Sequence, residues 1–220
     1  MSRLPAAKRR EQLLDSAAAL FAQHGYARAT TAQLARAAGV TEPIIYRHFA
    51  SKRDLFVALI ERTGEDTLRE WEADLADATD SADRLRRLLG DNPMVKPGGR
   101  SAYRVILQAI TEVDDPLIHA ALRQHIAKLH AFITREVKTA QEQGKVTTRL
   151  SAEMIAWVLI HVGLGYGILS AWEIPGQGRD ASGAHVQEVI SRMLIGREHR
   201  SAESRGPDSG PPSTRGTASY

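Results

Sequence analysis

Apolar residues recur along most of this chain at intervals of three and four positions, the spacing that places them on one side of an α-helix. In the first such stretch they are Leu13, Leu14, Ala17, Ala18, Leu20 and Phe21. From residue 81 onward the pattern stays helical, without the strict alternation of apolar and polar residues that is typical of strands. The pattern therefore predicts an all-α protein.

Two short helices that meet at a glycine are predicted near the start of the chain. Thr30 and Gln33 have the spacing of a capping box. Gly39 is expected to end the first helix, because a residue without Cβ adopts positive φ at no steric cost. Thr41 is expected to cap the second helix, and Pro43 falls in its first turn, where a missing N–H is tolerated. This arrangement places a second helix in a DNA major groove, although a helical hairpin in an unrelated protein has the same spacing.

The segment LARAAGVTEPIIYRHFASKRDLF, preceded by LLDSAAALFAQHGYARATT, closely resembles the N-terminal domain of the TetR family of transcriptional repressors. The matching positions are Leu20, Phe21, Gly25, Tyr26, Thr30, Thr31, Leu34, Ala35, Ala38, Gly39, Val40, Tyr46, Phe49 and Lys52. The resemblance implies an N-terminal three-helix helix-turn-helix DNA-binding domain at residues 1–51. A larger helical domain for ligand binding and dimerisation is expected at residues 52–197. The tail at 198–220 is rich in Ser, Gly, Pro and Arg and is predicted to be disordered.

A fourth helix is predicted to begin after Ser51, with Asp54 three residues later in a capping position. It continues past Gly64, where we expect a bend. Because this helix extends from the first domain into the second, it is the expected mechanical link between them.

The resemblance also implies roles for individual residues of the first domain. Those expected at base edges are Thr41, Glu42, Pro43 and Ile44; those expected at phosphates or flanking bases are Thr30, Thr31, Arg36, Tyr46, Arg47, His48 and Lys52. Glu42 either accepts a hydrogen bond from a cytosine amino group or simply favours the helix dipole. Ile44 replaces the small or hydroxylic residue usual at its position, which leaves the base preference open.

The charge distribution favours a nucleic-acid partner. Residues 1–58 carry nine Lys and Arg against four acidic residues, a formal net charge of +5, whereas the whole chain has +3. A basic first quarter on a near-neutral body is typical of a module that binds a polyanion, with a merely solvated helix as the alternative.

The chain has no cysteine, which excludes disulfides, thiol catalysis and cysteine-based zinc sites and fits a reducing cytosol. The N-terminus is charged and no apolar segment follows it, so we expect no signal peptide and a cytoplasmic location. His125 and His130 are five positions apart and do not share a helix face. We therefore expect no metal, no other cofactor and no enzyme activity.

Residues 154–172 are close to the length that spans a bilayer. His161 and the glycines dilute the segment and no basic flank marks an inner side, so a buried helix is expected rather than a membrane span. Gly163, Gly167 and Ala171 recur every four positions and form a ridge that another helix can approach closely. Because the resemblance implies a dimer interface made by the last two helices, we assign this ridge to the interface.

A ligand pocket is expected between the fourth and eighth helices. Aromatic and apolar walls with a few polar groups suit a mostly hydrophobic small molecule. The candidate lining residues are Tyr103, Leu107, Ile110, Ile126, His130, Trp157 and His161. Each of them, taken singly, is also explained as ordinary core.

Taken together, the resemblance implies a ligand-responsive transcriptional repressor. It would bind double-stranded DNA at a palindromic operator as a homodimer and be released by a small-molecule effector. One alternative is an architectural DNA-binding protein without an effector. Another is a helical enzyme or metal-binding domain with a basic N-terminal arm.

Overall fold

The computed structural model describes residues 4–90, 99–170, 172, 174–179, 181 and 185–195, apart from the side chains of residues 99–103, 170 and 187. Within these ranges the chain is helical, with a single isolated β-bridge between Arg179 and His185. The helices are α1 (Ala6–His24), α2 (Thr31–Ala37), α3 (Glu42–His48), α4 (Lys52–Asp74), α5 (Ser81–Gly90), α6 (Gly99–Ala109), α7 (Pro116–Glu142), α8 (Ala152–Ser170) and α9 (Val186–Ile195), with a 3₁₀ turn at Ile110–Glu112. The predicted all-α class is confirmed. The predicted tail lies outside the described residues.

The first three helices form a small unit around the apolar side of α1. Leu13 and Leu14 of α1 are completely buried, and they belong to the same hydrophobic cluster as Leu34 of α2 and Ile45 of α3. Gly39 adopts φ +65° between α2 and α3, as its position predicted. The sequence pattern thus places the correct faces of these helices in the core.

The helix starts follow the predicted capping residues with one exception. The Thr30 hydroxyl accepts from the Gln33 amide in a complete capping box, and the Ser51 hydroxyl accepts from the Asp54 amide at 3.0 Å. Thr41 occupies the N-cap position of α3, but its side chain makes no capping hydrogen bond. The following turn contains a proline, which offers no amide, and the Ile44 amide is bonded to the Thr41 carbonyl instead.

Helix α4 connects two hydrophobic clusters. Leu55 and Phe56 in its first half belong to the cluster of α1, α2 and α3, which also includes residues of α6 and the start of α7. Trp71 and Leu75 at its end belong to a second cluster with α5, the rest of α7 and α8. The first cluster therefore continues beyond residue 51, the predicted end of the first domain.

Gly64 lies in the middle of α4, and the helix continues through it to Asp74. A Cβ built at Gly64 would lie 2.5 Å from Nδ1 of His125 on α7. Such an approach is far below van der Waals contact, so the glycine is required by close packing between the two helices. The bend that the sequence led us to expect at Gly64 stays a prediction.

Helix α8 is long and apolar enough to cross a membrane by length and composition alone. In the structure one side of it packs on α7, and Gly163 and Gly167 lie on the buried side. Both glycines are therefore packed within the subunit, and their location does not support the predicted contact with a partner chain. A helix that is apolar on every side gives no sequence signal for which face turns inward. Ala171 lies outside the described residues.

We expect Gly64→Ala to destabilise the protein by about 1–3 kcal/mol, because the added methyl displaces the His125 ring in a packed core. Gly90→Ala is the matched control, since a Cβ at this position, the last residue of α5, meets no atom within 4 Å. It should be neutral or slightly stabilising. Urea unfolding measures both, and combining Gly64→Ala with His125→Ala should remove most of the cost. Equal stability of Gly64→Ala and the wild type would contradict the packing role.

Burial lowers the pKa of His125 to about 4, with a smaller contribution from Lys128. A histidine in the unfolded chain titrates near 6.5, so the unfolded state binds more protons between those two values. Stability should therefore be fully present above pH 6.5 and should fall by about 2 kcal/mol between pH 7 and pH 5 from this residue alone. Urea unfolding of wild type and His125→Gln at both pH values isolates the contribution. The same pH-dependent loss in both proteins would rule it out.

Candidate nucleic-acid interface

Helix α3 has one buried side and one exposed side. Ile45 is completely buried beneath it and Phe49 is 5% exposed just after it. Pro43, Tyr46 and Arg47 point away from the core and are exposed. The exposed side of the helix therefore carries the Pro43 ring, the Tyr46 phenol and the Arg47 guanidinium. The opposite side packs on the hydrophobic cluster that includes α1.

A chain of hydrogen bonds joins the start of α2 to α3. The Thr31 hydroxyl donates to Glu42 Oε2 at 2.7 Å. The Tyr46 hydroxyl lies 3.4 Å from the Thr31 oxygen. Three of the residues predicted at the DNA are thus in contact with one another, although they are 11 and 15 positions apart in the sequence.

The other predicted threonine, Thr30, is engaged locally. Its hydroxyl accepts from the Gln33 amide at 3.2 Å and lies 3.2 Å from the Gln33 side-chain oxygen. Its own amide donates to the same oxygen at 2.9 Å. Thr30 remains exposed, so it fixes the first turn of α2 at the edge of the candidate interface.

Arg36 and Arg47 are the exposed cations of this surface. Among the described residues, neither guanidinium forms an ion pair with a carboxylate within 4.0 Å. Both are therefore available to an external anion. Ile44 and His48 of the same helix are half-buried, and Thr41 is exposed.

Lys52, the residue predicted to contact a phosphate, turns toward the protein. Its ammonium donates to the carbonyl oxygens of Tyr26 at 3.0 Å, Ala29 at 3.0 Å and Ala27 at 3.4 Å. It also lies 4.4 Å from the centroid of the Tyr26 ring. An ammonium group has three donors, so this set occupies all of them. Lys52 therefore holds the loop between α1 and α2 in the DNA-free chain.

An aromatic cluster supports the same loop from below. The Tyr26 ring stacks on Phe56 of α4 at 4.2 Å, and Phe21 of α1 meets Phe56 edge-on at 5.4 Å. Burial raises the pKa of the Tyr26 phenol, with Glu112 and Asp115 acting in the same direction. The loop that leads into α2 is thus anchored to α4 by stacking and by the Lys52 hydrogen bonds.

The unit formed by α1, α2 and α3 is also linked to the rest of the chain through polar contacts. The Gln108 amide of α6 donates to the Phe21 carbonyl near the end of α1, at 2.8 Å. Arg53 of α4 lies 3.5 Å from Asp115, the N-cap of α7. Helix α6 is therefore tied to α1, and the start of α7 is tied to the start of α4.

The structure brings three of the predicted pocket residues together, but at the surface. The His130 ring lies tilted against Trp157, with centroids 4.4 Å apart, and a ring nitrogen of His161 lies 2.7 Å from the Trp157 carbonyl. Trp157 and Ile110 are at least 40% exposed, and His161 is also exposed. Ile126 and Leu107 are half-buried, whereas the side chain of Tyr103 lies outside the described residues. The pocket therefore stays a prediction.

Trp71, near the end of α4, is a further residue of interest that was not among the predicted site residues. It is 6% exposed and lies against Phe132, with ring centroids 5.6 Å apart. Its indole N–H is buried and has no acceptor among the described residues. A tryptophan in a helical apolar stripe signals a buried donor that needs a partner, but the sequence does not show whether one is present. Among the described residues, no group of three or more His, Asp or Glu is placed to hold a metal ion.

Comparison with known proteins gives a family for this arrangement. Residues 13–59 match the family model of bacterial regulatory proteins of the tetR family. The chain is 38% identical over 150 residues to the HTH-type transcriptional activator FasR of Mycolicibacterium smegmatis, covering 59% of this chain and 68% of that protein. It is 42% identical over 80 residues to the nucleoid occlusion factor SlmA of Marinobacter nauticus, covering 36% of this chain and 41% of that protein.

A similar fold is found in the crystal structure of a protein from Saccharomonospora viridis, described as a transcriptional regulator, in complex with choline. The TM-score is 0.74 at 23% identity, over 87% of this chain and all of that one. This likeness concerns the fold alone. Together with the helix-turn-helix geometry and the match to FasR over two thirds of its length, it leads to one conclusion. The chain belongs to the TetR family of transcriptional regulators.

Proposed function

We propose that this protein is a ligand-responsive repressor that binds a palindromic DNA operator as a homodimer. The observation that carries the proposal is the two-sided character of α3. Ile45 fixes the helix to the core, while Tyr46 and Arg47 are exposed. Arg36 of α2 is a further exposed cation. A short exposed helix of this kind, held by a preceding helix and a glycine turn, is suited to a major groove.

The candidate residues divide by chemistry. Arg36 and Arg47 supply affinity through phosphates, which every sequence offers equally. Glu42, Pro43 and Ile44, at the start of α3, read base edges; an apolar side chain packs on a thymine methyl, and a carboxylate accepts from a base amino group. Thr41, just before them, belongs to the same base-reading set, and His48 contacts phosphates or flanking bases. Lys52 is left out of the phosphate set because its ammonium is already bonded to three carbonyls.

Dimerisation is proposed through the apolar side chains that α8 and α9 leave exposed. On α8 these are Met154, Trp157, Val158, Ile168 and Leu169, followed by Trp172, which is 67% exposed; on α9 they are Val189 and Met193, the latter 74% exposed. Their spacing keeps them on one side of each helix, opposite the buried side. Two-fold symmetry would then set the two copies of α3, the reading helices that contact the bases, roughly 34–36 Å apart, or a multiple of that distance.

The effector is proposed to be a small, mostly hydrophobic molecule with one hydrogen-bond acceptor that meets the Trp71 indole. The support is the buried N–H of Trp71 among apolar residues of α4, α5 and α7. Because α4 extends from Trp71 to the DNA-facing unit, a ligand that prefers one position of α4 shifts the spacing of the reading helices. It weakens DNA binding only by its differential affinity for the two conformations.

The proposed location is the cytoplasm, where the operator DNA is found. The match to an activator of the same family makes the direction of regulation a point for experiment. Selection of bound sequences from a randomised duplex library should yield a palindrome. A reporter placed behind that palindrome should be silenced by the protein and restored by an effector found in a thermal-shift screen. Binding without sequence preference, or no stabilising ligand, would favour an architectural protein instead.

The phosphate contacts are tested by salt dependence. Arg36→Ala and Arg47→Ala should each weaken binding to every sequence and lower the slope of log K against log salt by roughly one unit. Arg69→Ala is the matched control, because Arg69 lies on α4 and pairs there with Asp66. Lys52→Met should lower the unfolding midpoint and leave the slope unchanged. A slope that falls with Lys52→Met would return Lys52 to the phosphate contacts. A slope that stays constant with both arginine variants would remove Arg36 and Arg47 from those contacts.

The dimer surface is tested by adding charge to it. We expect Val158→Glu combined with Ile168→Glu to give folded monomers in sedimentation velocity, because two carboxylates would be desolvated at the interface. Leu150→Glu provides the control, since Leu150 is 47% exposed and precedes α8. A double variant that remains dimeric would remove α8 from the interface.

A further inference from the structure

We propose that Glu42 couples base reading to phosphate contact by holding the Thr31 hydroxyl proton until a base of the operator replaces it. This inference rests on the proposed function of α3 as the reading helix. It concerns the way in which the interface separates matching from non-matching DNA.

The direction of the hydrogen bonds follows from the groups involved. An ionised carboxylate only accepts, so Thr31 is the donor in its 2.7 Å contact with Glu42. A hydroxyl has one proton, so the Thr31 oxygen can only accept from Tyr46, whose hydroxyl is 3.4 Å away. The order of donation is therefore Tyr46 to Thr31 to Glu42.

This order has a consequence for phosphate binding. A phosphate oxygen also only accepts, and it competes with Glu42 for the single Thr31 proton. The carboxylate next to the hydroxyl also repels the phosphate. In the DNA-free protein the pair is half-buried and satisfied by its own contact, so Thr31 does not offer a proton to any phosphate that approaches.

A matching base can break this arrangement. Glu42 is the first residue of α3, the part of a reading helix that reaches base edges. Cytosine N4 and adenine N6 carry the amino donors of the major groove. When such an amino group donates to Glu42, the half-buried carboxylate stays satisfied without the Thr31 proton. Transfer of that proton to a backbone phosphate then no longer leaves the carboxylate without a donor, so the Thr31 hydroxyl turns to the DNA backbone.

A non-matching base gives the opposite result. Guanine and the thymine carbonyl present acceptors at their major-groove edges, so Glu42 keeps the Thr31 proton and the phosphate contact is not formed. A wrong base therefore loses two hydrogen bonds, one to the base and one to the backbone. Glu42 acts on the phosphate contact through Thr31 and is a positioning residue for it.

The experiment compares two duplexes, one selected by the wild-type protein from a randomised library and one of scrambled sequence with the same composition. Thr31→Val should weaken binding to the selected duplex about tenfold, the value of a hydrogen bond to a charged group, and leave the scrambled duplex within about twofold. Thr31→Ser, which keeps the hydroxyl, should restore wild-type binding to both.

The decisive comparison is made in a Glu42→Ala background. There the Thr31 hydroxyl is free on any DNA, so Thr31→Val should weaken both duplexes to the same extent. Glu61→Ala is the matched control, because it removes the same charge from an exposed position of α4. In that background Thr31→Val should still act on the selected duplex alone. Thr31→Ala replaces Thr31→Val throughout if the valine variant does not fold.

The possible outcomes distinguish failure of the proposed function from failure of the coupling between Glu42 and Thr31. If the wild type selects no preferred sequence, the proposed function itself fails. If it selects one, but Thr31→Val weakens the selected and scrambled duplexes equally in the wild-type background, the coupling is overturned and the proposed function stands. A selective effect of Thr31→Val that persists unchanged in the Glu42→Ala background also overturns the coupling.

Discussion

The packing of α4 against α7 determines where the DNA-facing helices lie. Phe56 in the first half of α4 is completely buried with α1, whereas Trp71 near its end is buried with α5 and α7. Between them, Gly64 lies so close to His125 that no side chain fits. The position of α4 on α7 is therefore closely defined at this point, and the start of α4 holds the loop that leads into α2 through Lys52 and Phe56.

The first quarter of the chain was largely predictable from the sequence because its signals are local. Helix α1 contains the whole apolar stretch from Leu13 to Phe21, and the caps of α2 and α4 follow from the identity of residues three positions apart. The contact between Thr31 and Glu42 was not predictable, since it depends on the crossing of two helices. The inward turn of Lys52 likewise depends on three carbonyls that only the folded loop brings together.

Beyond α4 the sequence predicted the helices but not which side of each helix is buried. Helix α8 is apolar around most of its circumference, so Gly163 and Gly167 suited either an interface or the core, and the structure places them in the core. The candidate pocket residues had the same difficulty, because core and pocket walls share a composition. Trp157 and His161 lie at the surface. The Trp71 indole was recognised only from the structure, because its buried N–H has no acceptor among the described residues.

The central claim is that two copies of α3 enter the major groove in a symmetric pair. Methylation interference on a selected operator tests it most directly, because methylation of guanine N7 blocks a major-groove contact. A symmetric pair of α3 helices should give two symmetric groups of interfering guanines whose centres are about one helical turn, or a whole number of turns, apart. A single group, or interference confined to adenine N3 in the minor groove, would contradict it.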